Sequence, residues 1–369
     1  MKKAIIFAAA GLGLVAAVSA TAPRAAGDPA AAWNRKAAAA YLDQRATWWT
    51  TWPNAQRDHG TFCVSCHTAL PYALARPALR QPLGETAASP AEAALLANIT
   101  KRVMLWRDVE PFYPDQTRGV PKTSESRATE AILNAVILSR RDAGAGALSE
   151  EGRRALDNMW ALQMKTGPQT GAWTWLQFHN EPWEGDSSAF HGATLAAIAV
   201  HSAPGGYAAA PEIQERVKAL HDYLRKANEK QPLLSRAMLL WASTTAPSLL
   251  APDAQQAIVD ALLRAQQEDG GWSTASLGTW KRADGSALDL RTDGYATGLA
   301  TFVLQSSGDT RAQAPVKRGL AWLVSHQDPA SGTWFAASLN KQRDPASDAG
   351  KFMSDAATAF AVLALTKAP

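Results

Sequence analysis

The sequence predicts an all-α repeat fold of about six helical hairpins, which can close into a double-layered ring. Three observations predict this fold. A helix with apolar residues at a spacing of three and four recurs with a period of roughly 50 residues. Each clear copy of that helix ends in a Gln, a Gly-rich turn and a Trp. A second helix follows the turn and is apolar on nearly every side, which is typical of a buried helix. An open solenoid of the same hairpins is the structural alternative.

Three copies of the hairpin are clear. The amphipathic first helices are predicted at residues 153–163, 254–266 and 316–327. The turns that follow end in Trp173, Trp272 and Trp334. The apolar second helices are predicted at residues 186–200, 293–304 and 355–365. An acidic residue that can cap the free N–H groups stands at each start, namely Asp186, Asp293 and Asp355.

Weaker copies extend the same register at residues 33–79, 91–138 and 212–244. In the second of these, Glu125 or Ser124 stands at the start of the inner helix, and the third lacks the Gly-Trp turn. No boundary between domains is visible, so residues 33–368 are predicted to form one repeat domain.

The first 26 residues are typical of a signal peptide and a lead-in. Lys2 and Lys3 precede an apolar stretch at 4–18, and Ala20, Ala22 or Ala26 offers a small residue for cleavage. The apolar stretch is short for a membrane span, although retention as an anchor is the alternative. We therefore expect a periplasmic or secreted protein with no transmembrane segment in the mature chain.

Charge and local motifs exclude several classes of function. The net charge is +4, and Lys and Arg are dispersed among Asp and Glu with no basic stripe, so nucleic acid is not an expected partner. The sequence contains no Gly-rich phosphate loop, no dinucleotide fingerprint and no local Ser-His-Asp motif.

The Gln and Trp pattern resembles the QW motif of squalene-hopene and oxidosqualene cyclases. Its fullest copy is Lys317-Arg318-Gly319-Leu320-Ala321-Trp322-Leu323 followed by Gln327, Gly332 and Trp334. Partial copies are Arg154-Ala155 with Gln163, Gly171 and Trp173, and Gln266 with Gly270 and Trp272. The resemblance implies an α/α toroid, a fold also found in protein prenyltransferase β subunits, in which Gln and Trp staple the outer helices to the turns.

The chain also departs from these families. Hopene-type cyclases use an Asp-x-Asp-Asp acid, and the nearest cluster here is Asp289-Leu290-Arg291-Thr292-Asp293. The second toroid of those cyclases is absent at this length. Prenyltransferases bind zinc with a Cys late in the chain, whereas both cysteines here are early. Hopene-type cyclisation is therefore not expected, and whether the chain is an enzyme stays open.

The most specific chemical motif is Cys63-Val64-Ser65-Cys66-His67. Its C-x-x-C-H spacing resembles a cytochrome c attachment site, because two thiols can form thioethers with haem vinyl groups and the adjacent His can bind the iron. The motif predicts covalent haem c on Cys63 and Cys66, with His67 as the proximal ligand. A structural Cys63–Cys66 disulfide, a thiol redox site and a zinc site that includes His59 are the alternatives.

In the proposed register this motif lies at the start of the first inner helix, so a haem there would line one mouth of the ring. The candidates for a sixth iron ligand are His191, Met353, His59 and His179, and an open position is the alternative.

The aromatic turn at residues 173–184 offers a pocket for a flat apolar molecule. The substrate-pocket candidates are Trp175, Phe178, Trp183, Glu181, Asp186, Asp293 and Asp355; Glu184, Tyr113 and Trp280 are further members of the same mouth.

Three functions remain open from the sequence. The first is an exported haem c protein that transfers electrons to a periplasmic redox partner or oxidises an apolar, terpenoid-like molecule. The second is a haem-free isoprenoid-binding or hopanoid-binding protein, or a divergent cyclase-like enzyme. The third is a structural repeat scaffold with a Cys63–Cys66 disulfide.

Overall fold

The computed structural model describes residues 33–367, which belong to one compact unit. The predicted signal peptide at residues 1–26 lies outside the described residues. In chain order, the helices are α1 (Arg35–Thr51), α2 (Ala69–Ala75), α3 (Arg80–Leu83), α4 (Pro90–Met104), α5 (Asp115–Arg118), α6 (Lys122–Ala145), α7 (Glu150–Ala161), α8 (Ser188–Ser202), α9 (Gln214–Ala227), α10 (Leu233–Thr245), α11 (Pro252–Ala265), α12 (Gly294–Ser307), α13 (Gln313–His326) and α14 (Phe352–Thr366). Two short antiparallel strands, β1 (Gln56–Arg57) and β2 (Thr61–Phe62), form a small hairpin before α2.

The helices form a closed double ring. Along the inner layer, α2 contacts α6, and contacts continue through α8, α10, α12 and α14, which packs against α2 again. The outer layer of the described chain consists of α1, α4, α7, α9, α11 and α13, each packed on the inner layer. The prediction of six hairpins in an all-α toroid is confirmed, and the open solenoid is wrong because α14 returns to α2.

Burial follows the two helix types. In outer helix α9 the buried residues are Val217, Leu220, His221 and Leu224, a stripe with helical spacing on one face. In inner helix α14 every residue from Met353 to Ala364 is buried. Among the described residues, no helix is both long enough and apolar enough to span a membrane.

The predicted Gln and Trp staples are present. The Gln163 amide donates to the carbonyl oxygens of Gly171 and Arg216, both at 3.0 Å, and therefore ties its own turn to the next outer helix. The buried Trp173 indole donates to Met159 O at 2.6 Å. The other two turns repeat this arrangement with Gln266 and Trp272 and with Gln327 and Trp334.

The last staple also closes the ring. Gln327 Nε2 donates to Asn34 O at 3.1 Å, and Gln327 Oε1 accepts from Asn34 N at 2.6 Å. The same side chain therefore binds its own turn through Gly332 and the start of α1. The last hairpin therefore binds the first outer helix in the same way that each earlier staple binds the next outer helix along the chain.

The acidic residues predicted at the inner-helix starts differ in role. Asp293 caps α12 as predicted, since its carboxylate accepts from Tyr295 N and Ala296 N. Asp186 does not cap α8, because it is exposed and that helix begins at Ser188. Asp355 lies inside α14, which begins at Phe352, and its oxygens accept from other helices.

Candidate functional site

A cavity of about 460 Å³ opens at the mouth of the ring, where the loops that lead from outer to inner helices converge. This volume is in the usual range for sites that bind small molecules and cofactors. Its wall combines aromatic, cationic and acidic side chains with part of the C-x-x-C-H motif. The lining residues are Trp49, Trp52, Cys66, His67, Tyr113, Arg118, Phe178, Asn180, Glu181, Trp183, Glu184, Ser338, Asn340, Arg343, Ala349, Phe352 and Met353.

The motif occupies the turn before α2, as predicted. Ser65 Oγ accepts from Ala69 N at 3.0 Å, so the serine inside the motif satisfies a free N–H at the helix start. The preceding strand β2 is fixed by α4, because Asn98 accepts from Phe62 N at 2.8 Å and donates to Phe62 O at 3.0 Å. The Trp49 indole donates to Cys63 O at 2.6 Å. These bonds hold both ends of the motif.

The two cysteines have different positions. Both are buried, but Cys66 lines the cavity whereas Cys63 does not. Burial raises the pKa of Cys63 to about 12 and also raises that of Cys66, so both are thiols at neutral pH. Both cysteines are free thiols in the structure.

His67 is held between aromatic rings. The Phe352 ring stacks on the imidazole with centroids 3.8 Å apart, and the Trp49 ring meets it edge-on at 5.0 Å. Burial lowers the pKa of His67 to about 3, with Arg45 and Arg343 adding to the effect, so the ring is neutral at physiological pH. A neutral imidazole with a fixed orientation is suited to binding a metal.

Behind His67 lies a buried polar network. His67 Nδ1 is 2.9 Å from Thr68 Oγ1, and the Thr68 hydroxyl donates to Asp355 Oδ2 at 2.6 Å. Asp355 Oδ1 accepts from Arg45 Nε and from the Tyr41 hydroxyl, both at 2.8 Å. The predicted pocket residue Asp355 therefore supports the site from behind and does not line the cavity.

The four candidate sixth ligands separate clearly by position. Met353 lines the cavity beside Phe352. His191 is buried in α8, where it meets Trp175 edge-on at 5.7 Å, and it does not reach the cavity. His59 and His179 are exposed and have positive φ angles of 54° and 55°. Met353 is the one candidate of the four that shares the cavity with His67.

Only some of the pocket residues that the sequence predicts line the cavity. Phe178, Glu181, Trp183 and Glu184 line the cavity, together with Tyr113 from the neighbouring loop. Three other predicted pocket residues do not line it. Trp175 is buried and donates to Trp183 O at 2.8 Å, Asp186 is exposed, and Asp293 borders a separate cavity of about 300 Å³. Trp280 is buried and lies outside this wall.

Sequence reasoning missed several residues of the wall. Trp49 and Trp52 end the first outer helix, and Phe352 opens the last inner one. Arg118 ends the short helix α5 and Arg343 lies in a loop, and neither belongs to a recognisable motif. The cluster of Trp48, Trp49 and Trp52 was a usable signal, because three aromatic residues stand just before the C-x-x-C-H motif. The two arginines had no such signal.

The acidic part of the wall is fixed by contacts between two loops. Glu181 N donates to Asn340 Oδ1 at 2.6 Å, and Asn340 Nδ2 donates to Glu181 O at 3.0 Å. Burial raises the pKa of the adjacent Glu184 to about 7, which Asn180 and Lys122 oppose. At neutral pH this carboxyl is poised to hold or release a proton inside the cavity.

The residues present fit a covalent haem. The donor set is two thiols and a neutral imidazole, in the order and spacing that attachment requires. The aromatic rings of Trp49, Trp183 and Phe352 lie around the imidazole and suit a flat apolar group. Arg118 and Arg343 in the same wall can bind carboxylates such as haem propionates. Among residues 33–367, no group of three or more His, Cys, Asp or Glu is arranged to hold a bare metal ion.

Comparisons with known proteins identify the fold. No protein-family model matches the chain, and no curated protein matches it. A polysaccharide lyase of known structure is 12% identical, with a TM-score of 0.53 over 90% of this chain and 96% of the lyase. A type II terpene cyclase from Scytonema, MstE, is 16% identical, with a TM-score of 0.45 over 89% of this chain and 97% of the cyclase. The likeness to the lyase supports the ring architecture and carries no information about chemistry at this identity.

Proposed function

We propose that this chain is an exported haem c protein that carries its haem at the mouth of the ring. The observation that supports it best is the placement of Cys66 and His67 together in the wall of the aromatic cavity. Cys63 and Cys66 would hold the haem through thioethers, His67 would bind the iron, and Arg118 and Arg343 would bind the carboxylates. When bound, the haem supplies one-electron chemistry.

The protein's own groups set the conditions for that chemistry. Trp49 and Phe352 fix the orientation of the His67 ring. Glu184 can exchange a proton near neutral pH. The site would serve electron transfer to a redox partner, or the oxidation of an apolar molecule in which the haem would accept the electron and Glu184 the proton.

The test is to produce the full chain in a host that exports and matures c-type haem proteins. We expect a Soret band and a haem-stained band that survives denaturing electrophoresis. The double variant Cys63→Ala/Cys66→Ala should lose the stained band. The matched control is His59→Asn, which changes an exposed histidine near the motif and should keep it; Asn tolerates the positive φ at this position. A colourless wild-type protein would rule out the haem.

A second function is favoured by one observation, the aromatic lining of the cavity. Trp52, Phe178 and Trp183 could hold a terpenoid-like molecule without any haem. If the exported protein is colourless, addition of a polycyclic terpenoid should change its tryptophan fluorescence, and Trp52→Ala should reduce that change. No fluorescence change in the wild-type protein would count against this function.

A further inference from the structure

We infer that the Thr68 hydroxyl, held by Asp355, acts as a positioning group that fixes the tautomer of His67, so that Nδ1 carries the ring proton and Nε2 keeps a lone pair for a ligand. The inference about the tautomer stands on the protein's own hydrogen bonds. Its consequence for haem iron rests on the proposed function.

The direction of each hydrogen bond follows from the acceptor at the end of the chain. An ionised carboxylate can only accept, so the single proton of the Thr68 hydroxyl points to Asp355 Oδ2 at 2.6 Å. The remaining lone pairs of Thr68 Oγ1 can then only accept from His67 Nδ1, 2.9 Å away. A neutral imidazole has one N–H, which places the proton on Nδ1 and leaves Nε2 unprotonated.

Asp355 is well secured in this role. Its side chain is buried, and it forms a two-point ion pair with Arg45 through Nε at 2.8 Å and Nη2 at 3.1 Å. The Tyr41 hydroxyl donates a further bond at 2.8 Å. Burial raises the pKa of Asp355, and these three donors together with Thr68 oppose that rise and favour the ionised carboxylate. A bidentate guanidinium pair also fixes its orientation.

Among the residues that the structure describes, the ring nitrogen Nε2 of His67 has no hydrogen-bond partner and is free to bind a ligand in the cavity. His67 lines it, its Nδ1 is taken by Thr68, and within residues 33–367 no group hydrogen-bonds to Nε2. Stacking on Phe352 at 3.8 Å limits rotation of the ring. Partners of this kind orient a metal-binding histidine and make it a stronger donor. In the proposed haem protein, Thr68 and Asp355 would strengthen His67 as the proximal ligand and lower the reduction potential.

The first test uses haem-free protein and does not depend on the proposed function. The full chain is produced with ¹⁵N-histidine in a host without haem c maturation, and ring nitrogen shifts report the tautomer of His67. We expect the Nδ1–H form to dominate in the wild type. In Thr68→Val the ratio of Nδ1–H to Nε2–H should fall by about five- to tenfold, the effect of one hydrogen bond. Thr68→Ser keeps a hydroxyl and should restore the wild-type ratio.

The matched control is Thr194→Val, which removes a buried hydroxyl from α8 that donates to Phe190 O at 2.9 Å, far along the chain from His67. It should leave the His67 signals unchanged. A wild-type protein with His67 mainly in the Nε2–H form, or a Thr68→Val protein with an unchanged ratio, would overturn the inference.

The second test uses the exported, haem-loaded protein. Thr68→Val should keep the haem-stained band but raise the midpoint potential relative to both wild type and Thr194→Val, and Thr68→Ser should restore it. An unchanged potential would overturn the role of Thr68 toward the iron. A wild-type chain without a haem-stained band would instead contradict the proposed function, and the tautomer measurement would still decide the inference.

Discussion

At the level of single residues, the histidine pair between α8 and α9 shows how burial sets a pH dependence. His201 Nε2 and His221 Nε2 are 3.0 Å apart, so one N–H serves both rings when each is neutral. Burial lowers the pKa of His221 to about 4, with repulsion from His201 and Arg225 adding to it and Asp222 opposing it. Burial lowers the pKa of His201 as well. The folded pair therefore resists protonation.

This gives a prediction for stability against pH. A histidine in the unfolded chain has a pKa near 6.5, so below that value the unfolded state takes up protons that the folded pair refuses. Stability from this source is present above about pH 6.5 and is lost as the pH falls toward 4. For His221 alone, the loss between pH 8 and pH 5 should be about 2 kcal/mol.

The measurement is urea unfolding of wild type and His221→Gln across this range. The variant should lose about 2 kcal/mol of the wild-type pH dependence. Parallel curves for wild type and His221→Gln would contradict the prediction.

At the level of elements, the Gly-Trp turns depend on close approach between repeats. Gly332 has a φ of +77°, and a Cβ built on it would lie 2.2 Å from Ala37 C and 2.4 Å from Ala38 N. Both contacts are with the backbone of α1, which cannot move aside as a flexible side chain could. The glycine is therefore required twice, for its conformation and for the packing of the turn on the next outer helix.

The chain offers a matched pair to separate these two effects. Gly308 has a similar φ of +69°, but a Cβ there would meet nothing within 4 Å. Gly308→Ala should cost about 1–2 kcal/mol from conformation alone, whereas Gly332→Ala should cost roughly 3 kcal/mol or more because α1 must also shift. Denaturant midpoints with unchanged slopes would measure both. Equal costs would show that the contact with α1 does not matter.

The elements also show why the sequence predicts the fold better than the site. The turns of Trp173, Trp272 and Trp334 repeat one local pattern, so their architecture can be read from spacing. The prediction that Asp186 caps α8 is wrong because the loop before α8 is one residue longer than expected, which puts Ser187 at the N-cap position. The C-x-x-C-H motif is local and could be placed at the start of an inner helix. Arg343, by contrast, reaches the cavity only because the ring brings its loop opposite residues nearly 280 positions earlier, which no local pattern encodes.

At the level of the whole molecule, the ring has a seam where the first and last hairpins meet. Arg45 of α1 and Asp355 of α14 form a buried ion pair across it, and Gln327 binds Asn34 beside it. Elsewhere in the ring, neighbouring hairpins are consecutive in the sequence. At the seam, the contacting segments are about 300 residues apart in the sequence. In an open solenoid the terminal repeats have only one neighbour and can unfold first. The seam contacts give the first and last hairpins a second neighbour.

The last prediction therefore concerns Arg45→Met. This change removes the partner of Asp355 and leaves a buried charge without its ion pair, which typically costs about 3–5 kcal/mol. Arg154→Met is the control, because Arg154 and Glu150 form an exposed pair at 3.8 Å that should contribute only about 0.3–0.5 kcal/mol.

Hydrogen exchange should show which helices are destabilised by Arg45→Met. If the ring opens first at the seam, the amides in α1 and α14 should lose their protection from exchange first in Arg45→Met. The amides in α8 and α10, on the far side of the ring, should keep theirs. A uniform loss of protection would instead mean that the ring opens only as a single cooperative unit, with no preferred place to break.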